Sequence, residues 1–349
     1  MENIQKIKKI LEFLGTPYNE KNMDAIKKQE IEEIFEIADK NKIGLLFLES
    51  LKTEQLEKNT ESKLEDQQKR ANLQKNTWKR TVDILNNLGI KYAIIKSIFP
   101  FTAIPNDVDI IIFGNDLDYH NSIKSLEENQ FFILGEATYE VNLRDKTTAK
   151  SLNPLEPDWV DVDIYREIGA SKIIYLNKKN LVKHLCTIEI EGKKVKTLKP
   201  YAEMALMIFH SIYPERIYTL LLHYYILETI SKMSDYDFNE FVSFVKQNSF
   251  QNAVLDTLSI TEIIQEKCFG SVPSDLKKLR ILFGNKKEIK IDKIPFIYPR
   301  RVLYNALWGK ISETKFFTSC IKQLIAMLNP KTANFVVKVY NERSKRETY

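Results

Sequence analysis

Ile104–Asp116 reads IPNDVDIIIFGND: a proline, two aspartates one residue apart, an apolar run and a Gly-Asn turn. Side chains alternate in an extended chain, so Asp107 and Asp109 share one face, and Ile111 and Phe113 continue it. That face runs from charged to buried, which puts the acids at the open end of a strand, bordering a core and not trapped in it. The same D-x-D spacing recurs at Asp116/Asp118, Asp161/Asp163 and Asp235/Asp237. Asp116/Asp118 and Asp235/Asp237 sit where helices are expected to begin, and acids there favour the helix dipole. Asp161/Asp163, in WVDVDIY, lies in a second apolar, alternating strand.

If these two strands are neighbours, three or four carboxylates converge. Unpaired, they repel and raise one another's pKa, and a cation resolves the conflict. Oxygen donors at this density suit Mg²⁺ or Mn²⁺ and not zinc. Metals held on carboxylates activate an attacking oxygen and neutralise a phosphate and its leaving group, so phosphoryl or nucleotidyl transfer is the expected chemistry.

The rest of the chain sets the frame. At 349 residues and 44% hydrophobic it can bury a sizeable core. Cys186, Cys268 and Cys320 are scattered and odd in number, which offers neither a disulfide framework nor a C-x-x-C zinc site and favours a reducing cytosol. MENIQKIKKILEFLG has no continuous apolar stretch of signal-peptide type, and later apolar runs are broken by charge well short of about 18 residues. A soluble, cytoplasmic protein without a targeting signal is expected. From Asp275 onward there are 17 basic and 6 acidic residues, leaving 35 basic and 41 acidic before it. A basic C-terminal part indicates either a polyanionic partner, nucleic acid first, or a set of solvated lysine-rich helix faces.

Helical spacing in IQKIKKILEFL and IEEIFEIADKNKIGLLFLESL, then a long polar stretch ending at Gly89, predicts a helical N-terminal region over 1–88 whose last helix is exposed. From Ile90 the period changes. KYAIIKS, VDIIIF, ATYEVNL, DWVDVDIY and the pair TIEIEGKKVKTL, with Glu191-Gly192 at its turn, predict strands, and DLDYHNSIKSLEENQ a helix, over 89–199. Beyond Pro200 the chain is predicted helical through 200–349, with Pro214 at the start of a helix running through PERIYTLLLHYYILETI. The fold class is therefore α+β: a small mixed sheet between an N-terminal helical segment and a C-terminal helical, basic domain.

This order of strand, turn, D-x-D strand and later acidic strand resembles the DNA polymerase β-like nucleotidyltransferase superfamily. It is most similar to its bacterial and archaeal families in which an N-terminal helical segment precedes the first strand. EIFEIADKNKIGLLFLESL is similar to that segment, LGIKYAIIKS to the first strand, DVDIII and WVDVDIY to the acidic strands, and IEIEGKKVKTLKPYAEMALMIFHSIY to the closing hairpin and helix. The resemblance implies that Asp107 and Asp109 hold the metal ions and that Asp161 is the third carboxylate, with Asp163 the competing choice. It also implies that Lys96 and Ser97 hold the β and γ phosphates of an NTP such as ATP, although KSIFPF lacks the glycine usual there. The implied activity moves an NMP to an acceptor hydroxyl, with RNA of tRNA type as acceptor. Alternatives are an impaired, nucleic-acid-binding or scaffold relative, or a toxin-like enzyme acting on protein or a small molecule.

Among the remaining residues, Arg144 and Lys150 could reach phosphates or be ordinary loop cations, and Asp158 is read as a loop acid. His210 and His223 are read as satisfied core histidines, and Tyr224 and Tyr225 as packing residues. Arg300, Arg301, Tyr304 and Trp308 combine cations and rings at helical spacing, a pattern that can contact RNA.

Overall fold

The computed structural model describes residues 2–52, 55–105, 107–147 and 160–343. The N-terminal part contains α1 (Glu2–Leu14), α2 (Ile31–Lys40), α3 (Gly44–Glu49) and the 30-residue α4 (Lys58–Asn87). Gly89 follows α4 at φ 66, the left-handed conformation that ends helices. The first half of α4 is largely exposed, as its lysine and glutamate content predicts. Its last turns differ: Val82 and Leu85 are buried against the sheet.

Then come β1 (Tyr92–Ile95), β2 (Asp107–Ile112), α5 (Asp116–Glu128), β3 (Phe131–Glu136), β4 (Glu140–Asp145) and β5 (Asp161–Tyr165). A small hairpin, β6 (Ile168–Ala170) and β7 (Ile173–Leu176), leads to β8 (Leu185–Ile190) and β9 (Lys193–Leu198). The Glu191-Gly192 turn has φ 50 and 74, the double left-handed geometry of a tight hairpin. Asn115 opens α5 by accepting from the Asp118 N–H while Asp118 accepts from Asn115, so the Asp116/Asp118 pair serves a helix start.

Seven strands form one mixed sheet in the order β3-β4-β5-β2-β1-β9-β8. β2 and β5 are adjacent and parallel, with Asp107 opposite Asp161 and Asp109 opposite Asp163. β1 is antiparallel to β2, and β4 antiparallel to β5. Alternation gives β2 two different faces. Val108, Ile110 and Ile112 are fully buried against α4 and α5, each contributing about 2 kcal/mol of burial. The opposite face carries Asp107 and Asp109 and then Ile111, which joins a larger core.

That larger core is built by α6 (Pro200–Ile212), β10 (Ile217–Tyr218), α7 (Leu220–Lys232), α8 (Asp235–Gln247), α9 (Gln251–Phe269), α10 (Ser274–Ile281), β11 (Phe296–Ile297) and α11 (Arg300–Trp308). α12 (Thr314–Met327), seated on β7, and α13 (Pro330–Arg343) complete the described chain. Pro200 occupies the first turn of α6, where its missing donor costs nothing. Pro214 does not start a helix: Ile217–Tyr218 pair with β11, and α7 begins only at Leu220, where the Thr219 hydroxyl accepts from the Leu222 N–H. Ser234 caps α8 together with Asp237, which gives Asp235/Asp237 its structural role.

The N-terminal helices bury their apolar faces in the same cluster as the C-terminal ones. Polar ties reinforce this. Asn41 accepts from the Leu220 N–H and donates to the Ile294 carbonyl, and Tyr224 donates to the Gly15 carbonyl at 2.9 Å. Among the described residues no helix is long and apolar enough to cross a membrane.

Candidate active site

β2 and β5 end side by side at a cavity of about 420 Å³ between the sheet and α6. Asp107, Asp109 and Asp163 line it, with Lys42, Lys96, Glu140 and Glu215. Tyr165, Tyr175 and Phe99 supply aromatic wall, and Met207 and His210 come from α6. The parallel register makes the two acidic strands neighbours, the condition under which their carboxylates converge.

The four aspartates do not share one environment. Asp161 receives a two-pronged contact from Arg144 on β4, Nε to Oδ1 at 2.8 Å and an Nη to Oδ2 at 3.2 Å. Arg144 is only 2% exposed, so this is a buried ion pair, and Arg144 is a strand residue bound to an acid and not a loop cation. Asp163, one pleat further along, faces the cavity and accepts from Asn142 Nδ2 at 2.6 Å. Asp107, Asp109 and Asp163 thus share the cavity wall, while Asp161 is held by Arg144.

Lys96 lies at φ 55, a conformation that favours glycine, at the position where the resemblance implies one. Its ammonium is 2.9 Å from Asp109 Oδ1 and lies 5.0 Å from the Tyr165 ring centroid. Its backbone N–H donates to Glu203 on α6. The Ser97 hydroxyl accepts from the Asp109 N–H at 2.9 Å and shares its one proton between the Ile95 carbonyl at 2.9 Å and the Asp107 carbonyl at 3.2 Å. Ser97 therefore clamps the ends of β1 and β2 together, and its hydroxyl does not face the carboxylate cavity. Of the pair for which the resemblance implies a phosphate role, Lys96 lines the carboxylate cavity and Ser97 does not.

The electrostatics follow from crowding. Burial, then the charges of Asp163, Asp109 and Asp161, push the Asp107 carboxyl up to about 8. Burial and Asp109 push Asp163 up to about 7, against the Asn142 hydrogen bond. Burial opposes the Lys96 charge, but Asp109 outweighs it and the ammonium is held above its usual range. Glu203, fully enclosed, is raised by burial to about 7.

With divalent ions chelated, the sign of the resulting pH dependence is fixed. Below about pH 4 the folded and unfolded chains both carry these protons; above it the unfolded chain loses them, while folded Asp163 and Asp107 keep theirs to about 7 and 8. Stability from this cluster is present at low pH and is lost as pH rises through that window. Thermal melts in chelator are expected to fall between pH 5 and pH 8.5, with a shallower fall in Asp107→Asn; an unchanged slope in that variant contradicts the assignment.

All-oxygen donors such as Asp107, Asp109 and Asp163 are the type a hard divalent cation takes, and two of them are raised by burial and by like charge. Among the described residues no three His, Cys, Asp or Glu side chains are already gathered as a metal cluster.

His210 differs from its reading as a core residue. It lines the cavity, its Nδ1 2.9 Å from the Tyr175 hydroxyl and its Nε2 3.8 Å from Glu215. His223 is fully buried between the Tyr218 hydroxyl and Gln265, and burial lowers it to about 3. Tyr224 and Tyr225 are buried packing residues. Lys150 and Asp158 lie outside the described residues.

The chain matches no protein-family model and no curated protein. A solved structure of an antigenic nucleotidyltransferase-like protein from Paracoccidioides brasiliensis aligns with 58% of this chain and 97% of its own, at 14% identity and a TM-score of 0.31.

Proposed function

We propose that the cavity is the active site of a metal-dependent nucleotidyltransferase, which moves an NMP from an NTP to an acceptor hydroxyl. The observation that carries this reading is the in-register pairing of two parallel D-x-D strands, with Asp107, Asp109 and Asp163 in one cavity wall beside Lys96. Mg²⁺ or Mn²⁺ held by those three carboxylates would supply charge neutralisation at the α-phosphate and at the departing pyrophosphate. The acceptor oxygen bonds to the α-phosphorus as the bond to pyrophosphate breaks. Asp163, oriented by Asn142, is the group positioned to take the hydroxyl proton. Lys96, fixed by Asp109, sets a positive charge beside the incoming phosphates. Incubation with α-labelled NTPs, Mg²⁺ and total cellular RNA or protein tests the reading, and label transfer that survives loss of the carboxylates refutes it.

RNA is the proposed acceptor. On α11 Tyr304 is 61% and Trp308 77% exposed, next to the exposed Arg300 and Arg301. Large rings held in water beside guanidinium groups suit stacked bases. Tyr304→Ala with Trp308→Ala is expected to weaken RNA binding about ten-fold, and wild-type affinity to fall with rising salt. Binding indifferent to both salt and the double variant removes RNA from the reading.

A second reading rests on Ser97. With its hydroxyl committed to the strand ends, the alternative is a nucleotidyltransferase-like scaffold that no longer binds triphosphate. Calorimetry with NTP and Mg²⁺ separates the two: micromolar binding supports the enzyme, no binding the scaffold.

A further inference from the structure

Phe99 lines both the carboxylate cavity and a second, larger one of about 660 Å³. Its walls come from α4, the segment after β1, the β8–β9 hairpin, α6 and α7, and are mainly apolar and aromatic: Trp78, Phe101, Ile188, Tyr201 and Tyr225 join Phe99. The rings brace one another, Phe99 meeting Tyr225 edge-on at 5.8 Å and Phe101 at 5.9 Å between centroids. A preformed aromatic enclosure of this size is what small-molecule sites offer.

One group in it has unfinished chemistry. Glu203 is 4% exposed, and its Oε1 accepts the Lys96 N–H while its Oε2 has no hydrogen-bond partner among the described residues. The other charges at the cavity are matched or near the rim. Lys75 pairs with Glu191, Lys232 with Glu228 at 2.8 Å, and Asp237 caps α8. Lys79 also pairs with Glu191, so four acids face three lysines and the cavity keeps a single negative excess. A buried acceptor among ring faces, in an acidic enclosure, is complementary to an N–H-bearing cation, which is attracted both by the carboxylate and by the aromatic quadrupoles.

We propose that this cavity binds an organic cation, an amine or amidinium on an aromatic or apolar body, with the nitrogen donating to Glu203 Oε2 and the body held among the rings of Trp78, Phe99 and Tyr225. The site is separate from the carboxylate group, and the proposal does not depend on nucleotidyl transfer. Its connection to that group is Glu203 itself, whose other oxygen holds the backbone of Lys96.

Calorimetry on the full chain with tryptamine and with indole-3-acetate, which keeps the ring but reverses the charge, tests it. Tryptamine is expected to bind, and indole-3-acetate to bind about ten-fold more weakly or not at all. Glu203→Gln keeps an oxygen for the Lys96 N–H and is expected to weaken tryptamine about ten-fold. Ala71→Trp, from the α4 wall, is expected to fill the cavity and abolish binding with an unchanged melting profile. No tryptamine binding, equal binding of the two compounds, or binding that persists in folded Ala71→Trp overturns the proposal. Tryptamine binding lost in Asp107→Asn but retained in Glu203→Gln places the amine at the other acids and overturns it equally.

Discussion

Asp107→Asn is expected to lower label transfer from an α-labelled NTP about 10³-fold while leaving the protein at least as stable as the wild type. The two effects have one cause. Asp107 sits among Asp109, Asp161 and Asp163, and burial plus their charge raise its carboxyl to about 8. A group held so far from its ordinary range weakens the fold at neutral pH, and the isosteric amide removes that burden. On the proposed mechanism it also removes a cation ligand, which that chemistry cannot spare. Initial rates and thermal melts on the same preparation check both halves. Unchanged transfer refutes the catalytic assignment, and a large drop in melting temperature refutes the electrostatic one.

Arg144→Leu is expected to do the reverse, destabilising the fold by about 3 kcal/mol through an uncompensated carboxylate in a buried place. Arg144 and the Asp161 side chain are 3% and 17% exposed, and the two-pronged contact satisfies both Asp161 oxygens. Replacing both partners, Arg144→Leu with Asp161→Leu, is expected to recover most of the loss, because two apolar side chains leave no charge stranded. Urea denaturation measures the three variants. Asp161→Asn separates this structural role from a catalytic one: transfer is expected within about ten-fold of wild type, whereas Asp163→Asn is expected to lose about 10³-fold. Equal losses in the two asparagine variants contradict the division between them.

Much of this arrangement could be read from residue order. Alternation in DVDIII and WVDVDIY placed each acid pair on one face, and helix-start context removed Asp116/Asp118 and Asp235/Asp237, which lie in first turns where Asp118 and Asp237 close capping boxes. The mixed α+β class followed from the change of period at Ile90. The choice between Asp161 and Asp163 depends on the neighbour strand, and the signal for it lay in EVNLRD. There Glu140, Asn142 and Arg144 alternate, and in the antiparallel register Asn142 meets Asp163 and Arg144 meets Asp161. On α6, Glu203, Met207 and His210 fall at helical spacing on one stripe, which the two polar interruptions of an apolar helix, Glu203 and His210, could have revealed. Lys42 could not have been found this way. It comes from the turn between α2 and α3, and only the shared core of the N- and C-terminal helices brings that turn to the cavity. The PERIY segment misled because a proline after an apolar helix is compatible with a helix start, while its pairing to Phe296–Ile297 is long-range.

A crystal soaked with Mn²⁺ and a non-hydrolysable NTP analogue provides the most direct test of the central claim. The expected result is a manganese anomalous peak bounded by Asp107, Asp109 and Asp163, with the triphosphate on the Lys96 side and the Arg144–Asp161 pair intact. Nucleotide bound with no manganese at those three carboxylates, or neither ligand at saturating concentration, contradicts it.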